Sequence, residues 1–202
     1  MMSIDPMRYR ADITAGSLKV PESRIIARLL LDRVDEEQWR HAIQVENLLQ
    51  ARNAATATRL ARLIRQRLNT MGSGLWKLVR DGNAPVASHA ALAAAVKHSP
   101  LIGDFLDLVV REQFRMFAPK LSKAMWDDYL AGCRGRDPGM CDWSDLTCRR
   151  LRSSVFQTLA QAGFLEDTKS LKLQPVHIAP QVIRYLQIHR EEYVLRCLQV
   201  SP

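Results

Sequence analysis

Arginines at positions 59, 62 and 65 recur every three residues, so on a helix they share one side. A guanidinium cleaves nothing by itself; its chemistry is multidentate binding of phosphate or carboxylate. The stretch from Asn47 to Arg80 carries Arg52, Arg59, Arg62, Arg65, Arg67, Lys77 and Arg80, and no Asp or Glu. Within it, residues 53–68 read as one helix, with Asn53 as N-cap and alanine and arginine as strong helix formers. At 100° per residue, Leu60, Leu63, Ile64 and Leu68 join Ala57 on an apolar stripe. Arg59, Arg62 and Arg65 fall opposite, with Gln66 between them. Arg67 projects into the apolar sector and is expected to be partly buried, snorkelling or paired with a distant acid. A helix with an apolar back and a cationic front suits a polyanion. The bland alternative is a solvated basic face that only aids solubility.

A second cluster, Arg149, Arg150 and Arg152, lies on a helix read from Asp145 to Ala162, with Ser144 as its cap and Gly163 as its stop. Phe164-Leu165 and Leu171-x-Leu173 then flank an Asp-Thr-Lys-Ser turn, which makes one short β-hairpin over 164–173 the expectation. A long helix followed by a basic hairpin has the layout of a winged helix, with Lys169 and Lys172 as further phosphate contacts. The alternative is a structural helix followed by an ordered loop, because short apolar runs separate helix from strand poorly.

Catalytic constellations are weak. No glycine-rich loop precedes a Lys-Ser or Lys-Thr pair, and Gly72-Ser-Gly74 is too short for a dinucleotide fingerprint. Asp167-Thr-Lys169 matches the acid-x-lysine ending of restriction-like nucleases, but that chemistry needs a further acid to hold a metal. Asp137, in a glycine-rich segment, is the nearest one. Cys133, Cys141 and Cys148 are spaced too widely for structural zinc, which uses pairs two to four apart. His41, His89, His98, His177 and His189 are scattered. Trp76, beside Lys77 and Arg80, is the tryptophan to test for base stacking; the alternative is a core role. No enzyme, metal site or cofactor is expected.

These groups need a scaffold, and the chain has one. It has 202 residues, 47% of them hydrophobic, with a net charge of +8. The charge is uneven: residues 1–101 hold 15 basic and 9 acidic side chains, residues 102–202 hold 14 and 12. A localised excess of this kind favours nucleic acid or another acidic partner. Further helices are expected over 21–32, 36–49, 75–80, 88–97, 101–117, 123–130 and 181–199. Met1 to Gly16 reads as irregular, with a break at Pro6. The fold class expected is an all-α, compact multi-helix unit. It comprises an N-terminal part over 1–131, a C-terminal part over 142–202 and a glycine-rich loop over 132–141 between them. No apolar run reaches the roughly 20 residues that cross a bilayer. With no secretory leader read at the start, a cytoplasmic, reducing setting and free thiols are expected.

The sequence also resembles a known family. The resemblance is carried by Tyr9-Arg-Ala-Asp-Ile-Thr-Ala-Gly-Ser-Leu18, Pro21-Glu-Ser-Arg-Ile-Ile-Ala, Trp39, Glu46-Asn-Leu-Leu-Gln50 and Thr56-Ala-Thr-Arg-Leu-Ala-Arg-Leu-Ile-Arg-Gln-Arg-Leu68. Pro100-Leu-Ile-Gly-Asp-Phe-Leu and Ala162-Gly-Phe-Leu165 extend it. These runs resemble the BrxA family, small core proteins of BREX (bacteriophage exclusion) defence systems. The resemblance implies a helical, soluble, non-enzymatic protein with a fold like that of NusB, an RNA-binding antitermination factor. It also implies nucleic-acid binding, with Arg59, Arg62, Arg65 and Arg67 as the matching basic positions. The expected partners are DNA foremost and other BREX proteins, with no membrane and a monomeric state. RNA binding and a purely protein-docking role in the defence complex are the rival readings.

Overall fold

In the computed structural model, which describes residues 8–201, the helix starts follow their caps. Asp35 accepts the Gln38 N–H at 2.8 Å and opens α2 (Glu36–Arg40); Asn53 accepts the Thr56 N–H at 2.8 Å and opens α3 (Ala54–Asn69). Asn83, Ser122 and Ser144 do the same for α5 (Ala84–His98), α8 (Lys123–Arg136) and α9 (Asp145–Gln161). Each side-chain oxygen satisfies a backbone donor that the first turn would otherwise leave free. The remaining helices are α1 (Val20–Leu31), α4 (Ser73–Asp81), α6 (Pro100–Phe105), α7 (Arg111–Arg115), α10 (Pro180–Ile188) and α11 (Glu192–Leu198). A 3-10 turn spans Asp12–Ala15, and π turns span His41–Val45 and Leu106–Val110. The fold is all-α.

Helix α5 is the centre. Ala87, Ala90, Ala91, Ala93, Ala94 and Ala95 are buried in it, and α1, α3, α4, α6, α10 and α11 pack around it. Alanine is the reason: a thin helix lets many neighbours come close while losing little side-chain entropy. The buried residues form one cluster that runs from Tyr9 to Val200. No helix among the described residues is long and apolar enough to cross a membrane.

Four expectations need correction. The loop read over 132–141 is shorter, because α8 continues through Gly132 and Gly135 to Arg136. Packing overrides the roughly 1 kcal/mol that each helical glycine costs. Cys133 is buried, and Arg136 Nε donates to Tyr9 Oη at 3.2 Å. The helix read over 36–49 ends in its π turn at Val45. The last helix is two, because Arg190 adopts φ +55° and the Glu191 N–H returns to the Leu186 carbonyl. Finally, 164–173 holds no strand among the described residues. Leu165 meets Leu173 in a single antiparallel bridge, and Lys172 meets Lys120 in another. A third chain segment has joined the expected pair. The Pro6 break lies outside the described residues.

His89, on α5, ties this centre to the start of α10. Its Nδ1 accepts the Ala179 N–H at 3.0 Å, and burial pushes its pKa below the ordinary imidazole value. His98 is lowered as well, again by burial first. The unfolded chain therefore takes up protons near pH 6.5 while the folded chain resists, so stability is lost as pH falls below about 6.5. The melting temperature is expected to drop by several degrees between pH 7.5 and 5.5, and to drop less in His89→Gln. Equal drops in the two proteins would exclude His89 as a contributor.

Candidate nucleic-acid interface

The two arginine clusters are 90 residues apart in sequence and meet in space. The 3-10 turn packs against both α3 and α9. Around it lies an open pocket of about 410 Å³, lined by Thr14, Lys19, Thr56, Arg59, Leu60 and Arg150. Arg59 reaches it from α3 and Arg150 from α9. Lys19 sits at the left-handed residue (φ +51°) that precedes α1, with Glu22 at 3.5 Å. Arg59, Arg62, Arg149 and Arg150 are exposed and have no carboxylate partner among the described residues. Their charge therefore faces solvent unneutralised, and the first turn of α3 adds no acid to it.

The rest of the expected site divides. Arg65 leaves the front: it donates to Glu36 Oε1 at 2.7 Å and lies over the Trp39 ring at 4.4 Å from its centroid. That hydrogen bond holds the Glu36 carboxyl below its ordinary value. Arg67 leaves it altogether. It is 3% exposed, donating to the Ser17 carbonyl at 2.6 Å and the Gly16 carbonyl at 3.0 Å. Burial pushes its pKa down to about 10, with Asp12 acting the other way. Arg67 is thus a buckle for the strap that carries Thr14 and Lys19, not a phosphate contact. Arg80 is clamped by its neighbour Asp81 at 2.7 Å. Lys77 is exposed, with the Asp81 carboxyl within reach of its charge, and it lies on α4, outside the pocket's lining.

On α9, exposed Leu146, Arg149, Arg150, Ser153 and Gln157 follow one another at helical spacing. Arg152 turns to the other flank. Its side chain is 19% exposed, with Asp127 at 3.4 Å, and it lines a second open pocket of about 460 Å³ with Lys123, Ser153, Phe156, Gln157 and Thr168. Lys169 is exposed beside Asp167, whose carboxyl feels its charge, and Lys172 has Glu166 at 3.7 Å. Sequence reasoning missed Lys19 and Lys123. Neither belongs to an arginine cluster in the sequence, and only the fold brings it to an arginine.

The weak catalytic motifs have structural uses. Asp167 Oδ1 accepts the Lys169 and Ser170 N–H groups at 2.6 and 2.8 Å, closing a turn. Those bonds hold its carboxyl below the ordinary range. Asp137 accepts the Arg8 and Tyr9 N–H groups at 2.9 and 3.0 Å. Trp76 is half-buried and its Nε1 donates to the Leu68 carbonyl at 2.7 Å, so it pins α4 to α3.

Comparison with known proteins gives one answer. Residues 7–190 match the model of the BrxA family. The chain is 56% identical over 194 residues to a protein named BREX protein BrxA from Paramagnetospirillum magneticum, covering 96% of this chain and 98% of that one. It is 34% identical over 176 residues to a protein of the same name from Escherichia coli O9:H4, covering 87% and 83%. The crystal structure of an uncharacterized protein from Magnetospirillum magneticum superposes with a TM-score of 0.90 at 55% identity, over 96% of this chain and all of that one. The chain belongs to the BrxA family of BREX phage-defence components.

Proposed function

We propose that the chain is a non-enzymatic DNA-binding component of BREX defence, holding duplex DNA by phosphate contacts from Arg59, Arg62, Lys19, Arg149 and Arg150. The reading rests on one observation: arginines from two distant helices, none held by an acid among the described residues, converge on the Thr14–Lys19 pocket. Guanidinium groups so arranged suit the spaced oxygens of a phosphate backbone. Contacts to phosphate carry no sequence information, so binding tolerant of sequence is expected.

A gel-shift salt series tests it. With three to five phosphates neutralised, log K should fall against log salt with a slope of about −3 to −4.5. An affinity indifferent to salt would remove the electrostatic mechanism. Structured RNA of equal length, winning in competition, would make the ligand RNA. No binding of either at low salt, with retention of an acidic protein of the defence complex, would make the face a docking surface.

A further inference from the structure

Phe117 is 91% exposed and its neighbour Met116 65%. Phe117 also has φ +52°, the left-handed region that bulky residues avoid. The backbone there is a standard helix stop. The Phe117 N–H donates to the Phe114 carbonyl at 3.1 Å and the Ala118 N–H to the Gln113 carbonyl at 2.9 Å. The same stop ends α1 at Arg33, α9 at Gly163 and α10 at Arg190. Those three positions hold arginine or glycine. Here an aromatic ring is held out into solvent by a backbone conformation that favours glycine.

The surroundings are cationic. Lys120, three residues on, is bridged to Lys172, and like charges opposite each other in such a pair repel. Lys172 has Glu166 for relief, and Arg115 has Glu112 at 3.8 Å. Lys120 has no carboxylate among the described residues. Lys123 follows and lines the Arg152 pocket, whose Ser153 and Gln157 belong to the outer stripe of α9. Lys123 and Lys120 therefore lie along the chain between the Arg152 pocket and Phe117, whose ring also borders a pocket with Arg111 and Arg115.

We propose that Met116 and Phe117 form a wedge that stacks on, or inserts between, base pairs of the duplex bound along α3 and α9. This rests on the DNA-binding reading. Ring and thioether supply an apolar surface that any base can meet, and Lys120 and Lys172 hold the flanking phosphates. The wedge locally unstacks and unwinds the duplex.

Phe117→Gly removes the ring and suits the local backbone, so the variant should fold at least as well. It is expected to bind a 20-base-pair duplex about tenfold more weakly, as loss of one stacked aromatic does. Wild type should change the linking number of a relaxed, nicked plasmid sealed by ligase in its presence. Phe117→Gly should not, and Phe117→Tyr should. If wild type binds duplex while Phe117→Gly matches it in affinity and linking number, the wedge is refuted and the DNA reading survives. A Phe117→Gly that binds DNA normally but loses a protein partner assigns the patch to that partner and also refutes it. Wild type that binds no duplex removes both readings.

Discussion

Replacing Arg59, Arg62 and Arg150 together with glutamate is expected to abolish duplex binding, weakening it at least about a thousandfold at low salt. Each charged contact to phosphate contributes about 1.5 kcal/mol or more, and three lost contacts reach that factor before the repulsion of three new carboxylates is counted. All three side chains are exposed, and no acid among the described residues holds them, so the fold should hold. Helicity by circular dichroism should be unchanged. Arg65→Gln is the matched control. Its guanidinium is already committed to Glu36 and Trp39, so its removal should leave affinity within about twofold and cost under about 1 kcal/mol of stability. Should the triple variant bind as well as wild type, the α3–α9 face is not the interface. Should Arg65→Gln prove as damaging as the triple, the front of α3 is wider than its geometry shows.

The difference between Arg65 and Arg59 marks the limit of what this sequence makes legible. Helical periodicity places both on the side away from Leu60 and Ile64, and both are indeed away from the core. Periodicity cannot see Glu36, which lies 29 residues earlier and reaches Arg65 only once α2 has packed beside α3. Arg67 is the opposite case. Its angular position lies within the apolar sector, which forecasts burial, and the structure supplies the two carbonyls that make burial tolerable. Helix starts are legible because Asp35, Asn53, Ser122 and Ser144 cap within three residues of themselves. Helix ends are less so: Arg190 breaks the last helix with neither glycine nor proline beside it, and Gly132 fails to break α8. There the deciding contacts come from Tyr9, more than 120 residues away. The same holds for the site. Arg59 and Arg150 are each readable as cations on an exposed helix face. Their convergence depends on the 3-10 turn that packs between their helices, and on Lys19 beside it.

That turn is held by a polar knot, and the second large effect is expected there: Asp104→Ala should destabilise the protein by about 3–5 kcal/mol. Asp104 is 6% exposed. It accepts from Tyr9 Oη at 2.7 Å, from Tyr193 Oη at 2.7 Å and from Arg8 Nη2 at 2.8 Å. One carboxylate thus joins the N-terminal segment, α6 and α11. Gly103 makes this possible, because a Cβ there would overlap the Tyr193 hydroxyl. Removing the carboxylate leaves two largely buried hydroxyls without their acceptor and Arg8 without its counter-charge. For a chain of this size the loss should lower the melting temperature by roughly 10 °C. Asp104→Asn keeps one acceptor and the shape, so about half that loss is expected. Tyr193→Phe, which removes one hydroxyl together with its need for a partner, should cost about 1 kcal/mol. The knot also fixes where the strap begins that carries Thr14 and Lys19 to the pocket. DNA affinity should therefore fall in Asp104→Asn even well below its melting temperature, but not in Tyr193→Phe. A thermally stable Asp104→Ala would mean that the knot contributes geometry without net stability, as some buried ion pairs do.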